Sequence, residues 1–238
     1  MPGRVAEAAD FSGATPGGTP SGGVAAPRRF KALLFDLDGT VLDTNQLIVS
    51  SFQHTLGELL GLPVTAEDLY PFFGEPLIHT MARYAPDRAE ELVAHYRAYN
   101  LAQHDRLAHV FPGLGPVLSA LRESGLRLAI VTSKYEPTAR RGLDLFGLTS
   151  LFEAMVTMES TTRHKPDPDP ALRALELLGL EPQETAMVGD SVLDVQCGRN
   201  AGTATAVVGW SVFPRRELLA SEPDYWIERP EDLLQFRR

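Results

Sequence analysis

The sequence predicts an α/β fold: a Rossmann-like parallel sheet with an inserted α-helical segment. Short apolar runs without polar alternation recur along the chain, as is typical of strands buried on both faces of a parallel sheet. Helical patterns separate most of these runs, and the stretch from about residue 44 to 110 contains helical patterns but no convincing strand. Strands that alternate with helices favour parallel pairing through right-handed crossovers.

Four apolar runs predict strong strands and two predict weaker ones. The strong runs are FKALLFD (30–36), LRLAIVTS (126–133), TAMVGDS (185–191) and TATAVVGW (203–210); the weaker runs are EAMVTM (153–158) and DYWIE (224–228), the last as a short edge strand. The helices between them are predicted in GPVLSALRESG (115–125), PTARRGLDLFG (137–147) and DPALRALELLG (169–179). A glycine after the last apolar position is a common helix C-terminal signal.

The chain divides into three parts. Residues 30–43 and 111–238 form the predicted α/β core, and residues 44–110 form a helical insertion with helices in NQLIVSSFQHTLGELLG, DLYPFFG and RAEELVAHYRAYNLAQHDRL. Residues 1–29 are rich in Gly, Pro, Ala and Ser without periodicity, which predicts a disordered tail. This tail lacks the apolar segment of a signal peptide, and its acidic residues count against a transit peptide.

Composition and charge limit the function classes. With 238 residues the chain can form one domain carrying an insertion. A formal net charge of −9 argues against a nucleic-acid partner, which requires clustered Lys and Arg. The only cysteine, Cys197, permits no internal disulfide and favours the reducing cytoplasm. No apolar run approaches the roughly 20 residues of a membrane span. The sequence does not reveal the oligomeric state, and we expect a monomer.

Acidic residues follow two of the predicted strands. Asp36 and Asp38 end the first strand, and period-2 alternation would point both carboxylates to the same face. Asp190 ends a later strand, with Asp194 one turn beyond it. Ligands of open parallel sheets bind at the carboxyl ends of the strands, so we expect these carboxylates to converge. A bound cation would relieve their repulsion, and hard oxygen ligands without His or Cys select Mg²⁺ over zinc.

Three further residues point to a phosphate. Thr132 and Ser133 follow another strand and offer hydroxyl and backbone N–H groups ahead of a helix. Lys165, in the loop HKPDPDP, supplies a positive charge for phosphate oxygens. A carboxylate nucleophile, a metal and phosphate-binding groups together describe phosphoryl transfer through an aspartyl-phosphate.

Each of these features also has a structural explanation. DLDGT alone fits an acidic turn, Thr132-Ser133 a helix cap, Lys165 a surface lysine and Asp194 the first turn of a helix. Only the order of the features along one chain favours the functional interpretation.

The histidines and Cys197 give weaker signals. Spacings of nine and five between His95, His104 and His109 do not give the i, i+4 pair of a helical zinc site, so we interpret all three as solvated surface residues, with a substrate-facing role for one of them as the alternative. His79 is expected at the surface too, with an active-site position as the alternative. Cys197 is expected to be a small buried residue.

Taken together, DLDGT, Thr132 after an apolar strand, Lys165 before a proline and GDSVLD resemble, in order, the four motifs of the haloacid dehalogenase superfamily. The helical insertion lies where that family carries its C1-type cap. The resemblance implies that Asp36 is the nucleophile and Asp38 the general acid and base. It implies that Thr132, Ser133 and Lys165 hold the phosphoryl group. Mg²⁺ would bind Asp36, the backbone carbonyl of Asp38, and Asp190, with Asp194 as an indirect or alternate ligand.

A narrower resemblance bears on the substrate. The segments TNQLIVSSFQHTL, PFFGEPL, YRAYNLAQHDRL and GWSVFPRRELLASEPDY are similar to those of the bacterial pyrophosphatases related to the phosphoglycolate phosphatases. This resemblance implies hydrolysis of inorganic pyrophosphate. The alternatives are a phosphatase of a small monoester such as 2-phosphoglycolate, a sugar-phosphate mutase, and a non-catalytic module that binds Mg²⁺ and anions.

Overall fold

The computed structural model describes residues 29–237 and contains a six-stranded parallel sheet with the order β5-β4-β1-β6-β7-β8. The predicted tail therefore lies, apart from Arg29, outside the described residues. The strands are β1 Ala32–Phe35, β4 Arg127–Val131, β5 Ala154–Val156, β6 Thr185–Gly189, β7 Ala204–Val208 and β8 Tyr225–Ile227. All six predicted strands are present, and β8 lies at an edge as expected. The predicted α/β fold class is confirmed.

The first strand occupies the centre of the sheet because it is apolar on both faces. β1 pairs in parallel with β4 and with β6, and Ala32 lies opposite Arg127 and Thr185 in the two registers. Its alternating side chains enter two cores: Leu33 and Phe35 pack on one side, and Ala32 and Leu34 on the other. Helices cover both faces of the sheet. Because β1 is an inner strand, the residue that follows it lies near the middle of the carboxyl edge of the sheet.

The helices of the core region alternate with these strands. They are α5 Leu114–Glu123, α6 Glu136–Leu145, α7 Asp169–Leu178, α8 Val192–Ala201 and α9 Arg215–Ala220. The first three lie within two residues of the predicted bounds. Helices α8 and α9 were not predicted, because α8 has a mixed polar and apolar sequence and α9 has only six residues.

The helical insertion begins and ends at a small two-stranded sheet. β2 Leu42–Asp43 pairs antiparallel with β3 His109–Val110, two strands too short to give a sequence pattern. Between them lie α1 Asn45–Leu60, α2 Ala66–Leu69, α3 Leu77–Tyr84 and α4 Ala89–Leu107. These helices share an apolar core of their own that includes Phe52, Leu56 and Leu92. We keep residues 44 and 110 as the proposed limits of this second unit.

Local chemistry explains where the insertion departs from the predicted helices. DLYPFFG was expected to form one helix, but α2 starts earlier, where Thr65 and Asp68 form a reciprocal capping box. Pro71 lacks the N–H that an α-helix interior needs, and the chain continues as a 3₁₀ turn over Tyr70–Phe72. Throughout residues 29–237, no helix combines the length and the apolar character needed to cross a bilayer.

The structure corrects the interpretation of one histidine. His104 in α4 was expected at the surface but is fully buried, and its Nε2 has no hydrogen-bond partner in the described part of the chain. The ring lies next to Gly142 of α6, where a Cβ would be in ordinary contact with Nε2 at 3.5 Å but would overlap with Leu42 Cδ1 at 2.6 Å. Burial lowers the pKa of His104, against the opposing effect of the neighbouring Asp105 carboxylate. The folded protein therefore prefers the neutral imidazole. His79 and His109 are exposed, as expected.

This burial predicts a pH-dependent loss of stability. The unfolded chain takes up a proton at His104 near its ordinary pKa of about 6.5, whereas the folded chain takes it up only at lower pH. Stability therefore falls as pH drops below about 6.5. The His104→Leu variant should lose less stability than the wild type on acidification. Between pH 7.5 and 5.5 its unfolding free energy should fall by about 1 kcal/mol less than that of the wild type.

Urea unfolding at several pH values measures this difference. His109→Leu is the matched control, because it removes an exposed histidine and should leave the pH dependence as in the wild type. If the unfolding free energy of His104→Leu changed with pH as steeply as that of the wild type, the proposed contribution of His104 would be wrong.

Candidate active site

The predicted site residues come together at the carboxyl edge of the sheet. Asp36 follows β1, Thr132 follows β4 and Asp190 follows β6, three neighbouring strands. A cleft of about 1060 Å³, counting the part open to solvent, runs between this edge and the helical insertion. All of the sequence-predicted residues line it: Asp36, Asp38, Thr132, Ser133, Lys165, Asp190 and Asp194.

The first strand ends earlier than predicted, and this separates the two carboxylates of DLDGT. β1 stops at Phe35, and the Asp36 N–H donates to the carbonyl of Val188 at 2.9 Å. Gly39 then turns the chain with φ +83°, and its N–H donates to the Leu42 carbonyl at 2.8 Å. Because both aspartates lie beyond the strand, period-2 alternation does not apply, and their carboxylates contact different lysines.

Lys165 joins two of the acidic side chains. Its Nζ lies 2.7 Å from Asp36 Oδ1 and 2.6 Å from Asp194 Oδ1, and all three side chains are buried. The second oxygen of Asp194 accepts from the hydroxyl of Ser191 at 2.6 Å and from its N–H at 3.1 Å. Asp194 is thus both an ion-pair partner of Lys165 and the partner of the N-cap residue Ser191 in the capping box of α8.

Negative charge exceeds positive charge in this buried cluster. Burial raises the pKa of Asp36 above its ordinary value, and Asp194 raises it further, while Lys165 acts in the opposite direction. Burial also raises the pKa of Asp190, followed by the effects of Asp36 and Asp194. Although burial disfavours the ammonium group, the two carboxylates it contacts raise the pKa of Lys165, which stays charged. With all three carboxylates ionised, one ammonium group would leave two negative charges uncompensated, which is why the free cluster favours protonation.

The donor set fits a hard divalent cation. One carboxylate oxygen from each of Asp36, Asp190 and Asp194 lies within 4.8 Å of the others, so these residues could hold a metal ion. All three offer oxygen, the ligand atom that Mg²⁺ prefers, and a divalent ion would supply the two missing charges. Ser211 holds Asp190 in position, since its hydroxyl lies 2.7 Å from the Asp190 carbonyl oxygen and 3.3 Å from Oδ2.

Asp38 lies beside this cluster with partners of its own. Its Oδ1 accepts from the hydroxyl of Thr44 at 2.5 Å and from Lys134 Nζ at 2.8 Å. The Asp38 side chain, which lines the cleft, is therefore held by Thr44 at the start of the insertion and by Lys134 in the loop after β4. Sequence reasoning missed Lys134, although its position directly after Thr132-Ser133 was a usable signal.

Thr132 and Ser133 do not cap a helix. The residue that precedes α6 is Tyr135, so the helix starts later than the hydroxyl pair. The Thr132 hydroxyl is buried and accepts the Lys134 N–H at 3.1 Å, which shapes a tight turn after β4. Ser133 is half-buried and lines the cleft without a recorded partner for its hydroxyl.

The helical insertion contributes its own wall of the cleft, which no motif indicated. The Arg97 guanidinium on α4 lies 4.5 Å from the centre of the Tyr135 ring in the core region. Asn100, one turn further along α4, donates to the Ser51 hydroxyl of α1 at 3.1 Å. Tyr96 is buried beside them, and burial raises the pKa of its phenol. All three residues lie on α4, and the tertiary fold brings them against Ser51 of α1 and Tyr135 of the core region.

A parallel sheet with acidic residues after two neighbouring strands, and a lysine that bridges two carboxylates beneath a helical insertion, is an arrangement suited to hydrolysis. The family model described as haloacid dehalogenase-like hydrolase matches residues 33–208. The chain therefore belongs to the haloacid dehalogenase-like hydrolases.

Curated relatives carry more specific names. A protein named pyrophosphatase PpaX from Bacillus velezensis is 42% identical over 207 residues, covering 87% of this chain and 96% of the relative. A pyrophosphatase PpaX from Anoxybacillus flavithermus is 41% identical over 202 residues, covering 85% of this chain and 94% of the relative. Both alignments span the core region together with the helical insertion.

Solved structures show the same architecture. A haloacid dehalogenase-like family hydrolase from Streptococcus pneumoniae aligns with a TM-score of 0.79 and 28% identity, covering 88% of this chain and 99% of that one. A predicted phosphoglycolate phosphatase from Haemophilus somnus aligns with a TM-score of 0.78 and 25% identity, covering 89% of this chain and 99% of that one.

The turn at Gly39 gives a sharp test of the site geometry. A Cβ on residue 39 would lie 2.4 Å from Asp190 Oδ2, so Gly39→Ala should push the two loops apart and lower kcat/KM about 100-fold or more. Gly61→Ala is the matched control: it has a similar positive φ of +66°, but its Cβ would enter open space.

Both variants strain the backbone and should lose a comparable stability of about 1 kcal/mol. Only Gly39→Ala should lose activity. A Gly39→Ala enzyme with wild-type kcat/KM would show that the contact between the two loops is unimportant for catalysis.

Proposed function

We propose that the protein is a Mg²⁺-dependent phosphohydrolase that works through an aspartyl-phosphate and hydrolyses inorganic pyrophosphate to phosphate. The observation that carries the proposal is the buried group of Asp36, Asp190 and Asp194 with Lys165, which lines the cleft beneath the helical insertion. The names of the relatives support pyrophosphate as the substrate.

Asp36 is the proposed nucleophile. It lies at the centre of the sheet edge, where Lys165 holds one of its oxygens at 2.7 Å and leaves the other free. Attack on phosphorus forms the acyl-phosphate bond and breaks the bond to the leaving group. Water then attacks the aspartyl-phosphate and restores the carboxylate. Lys165 and the hydroxyls of Thr132 and Ser133 are the proposed partners of the transferred phosphoryl oxygens.

Asp38 is the proposed general acid and base. Thr44 and Lys134 fix its carboxyl group beside Asp36, where it can protonate the departing oxygen and later accept a proton from water. Mg²⁺ would be held by Asp36, Asp190 and the backbone carbonyl of Asp38, with Asp194 as an indirect or alternate ligand. When bound, the ion would neutralise the buried carboxylates and the phosphoryl oxygens.

The charges of the cleft agree with a substrate that carries a second phosphate. Arg97 and Lys134 line it in addition to Lys165, so positive charge extends beyond the position of the transferred group. The second candidate substrate is a small monoester such as 2-phosphoglycolate, favoured by the structural neighbour from Haemophilus somnus.

We also propose that the protein is located in the cytoplasm, because the lone, buried Cys197 suits a reducing compartment. We propose that it works as a monomer.

The decisive experiment measures phosphate release from pyrophosphate, 2-phosphoglycolate and several sugar phosphates, with Mg²⁺ and with chelator. We expect the highest kcat/KM for pyrophosphate, dependence on Mg²⁺, and a loss of at least about 10³-fold in Asp36→Asn, which lacks the nucleophile. Asp87→Asn, an exposed aspartate of the insertion, is the matched control and should keep full activity. Release from none of the substrates would favour a non-catalytic Mg²⁺- and anion-binding module instead.

The role of Asp38 depends on the leaving group. Phosphate is a far weaker base than an alkoxide, so it leaves more readily and needs less help from an acid. Asp38→Asn should therefore lower the turnover of an alkyl phosphate by about 10²–10⁴-fold and that of pyrophosphate by clearly less. Comparing the two kcat ratios within the same variant cancels any general damage from the unpaired Lys134. Equal losses for both substrates would refute this role.

A further inference from the structure

Three metal-ligating side chains converge on the outer surface of the helical insertion. His54 and Glu58 lie one turn apart on α1, at the i, i+4 spacing that puts two side chains on one helix face. His95 comes from α4, the helix that packs against α1. None of the three lines the cleft of the candidate active site.

The potential ligand atoms point to a common position. His54 Nδ1 lies 3.4 Å from Glu58 Oε1, and His95 Nε2 lies 3.4 Å from Glu58 Oε2. One ligand atom from each residue lies within 4.8 Å of the others. At these separations each ring forms an ion pair with the carboxylate only when the ring is protonated, so neutral rings leave the carboxylate available to a metal ion.

Neighbouring residues hold both rings in this orientation. His95 Nδ1 lies 3.5 Å from the hydroxyl of Thr55, a partner on the side of the ring away from Glu58. A contact to the second ring nitrogen is how proteins orient metal-binding histidines. The His54 ring stacks between two others, 5.0 Å from His95 and 4.1 Å from Tyr99 between centroids.

We propose that His54, Glu58 and His95 form a second metal site, distinct from the acidic cluster, that binds Zn²⁺ or a similar first-row transition metal. Two imidazoles and one carboxylate form a ligand set that suits zinc, whereas Mg²⁺ prefers oxygen ligands alone. The side chains are 30%, 58% and 29% exposed, so water can complete the coordination. The ion ties α1 to α4, the two longest helices of the insertion, and stabilises the wall that covers the cleft.

Binding of Co²⁺ is measured first, by its visible absorption, and Zn²⁺ is then added as a competitor. The experiment uses the full chain with any affinity tag removed and excess Mg²⁺ present to occupy the acidic cluster. The wild type should bind one equivalent of Co²⁺ with visible absorption bands that Zn²⁺ abolishes, and Zn²⁺ should raise the thermal unfolding temperature. His95→Ala and Glu58→Gln should each weaken binding by roughly 100-fold or more, since each removes a ligand.

His109→Ala is the matched control, because it removes an exposed histidine elsewhere and should bind like the wild type. Mg²⁺-dependent phosphate release should be unchanged in Glu58→Gln, which shows that the variant is folded and separates this site from the catalytic one. No Co²⁺ absorption in the wild type, or equal affinity in the wild type, His95→Ala and Glu58→Gln, would overturn the proposal.

Discussion

The buried ion pairs of Lys165 are the interaction on which the rest of the site depends. Three carboxylates lie together at the edge of an apolar sheet, where water screens them poorly, and one ammonium group contacts two of them. Removing one partner from such a buried group leaves an uncompensated charge, at a cost of about 3–5 kcal/mol. Burial, and after it the neighbouring carboxylates, raises the pKa values of Asp36 and Asp190 even though Lys165 acts to lower them. The same shortage of positive charge makes the site suitable for a divalent cation.

Close backbone contacts set the geometry of this charge cluster. Gly39 brings the loop after β1 against Asp190, and Gly189 brings the end of β6 against Asp194, where a Cβ would lie 2.2 Å from Cγ. Both approaches require the absence of a side chain. The sheet supplies the rigid platform, since β1 is paired on both sides and buried on both faces. The carboxylates are thereby preorganised before any ligand arrives.

The helical insertion complements this platform with a different chemistry. It adds an arginine, aromatic rings and an amide to a cleft whose floor is acidic. Contacts such as Arg97 on Tyr135 and Thr44 on Asp38 join the two walls and couple the position of the insertion to the groups at the strand ends. Closing such a cleft would exclude water and strengthen every electrostatic interaction inside it.

The sequence alone determined the fold class, the six sheet strands and the convergence of the acidic residues. These follow from local patterns: apolar runs specify buried strands, and parallel strands place their carboxyl ends on one edge. The tertiary structure decided what depends on contacts between distant segments. The pairing of Asp38 with Lys134, the burial of His104 against Gly142 and the meeting of His54 and Glu58 with His95 each join separate elements. No sequence period encodes such contacts, because they depend on how helices pack rather than on the spacing within any one of them.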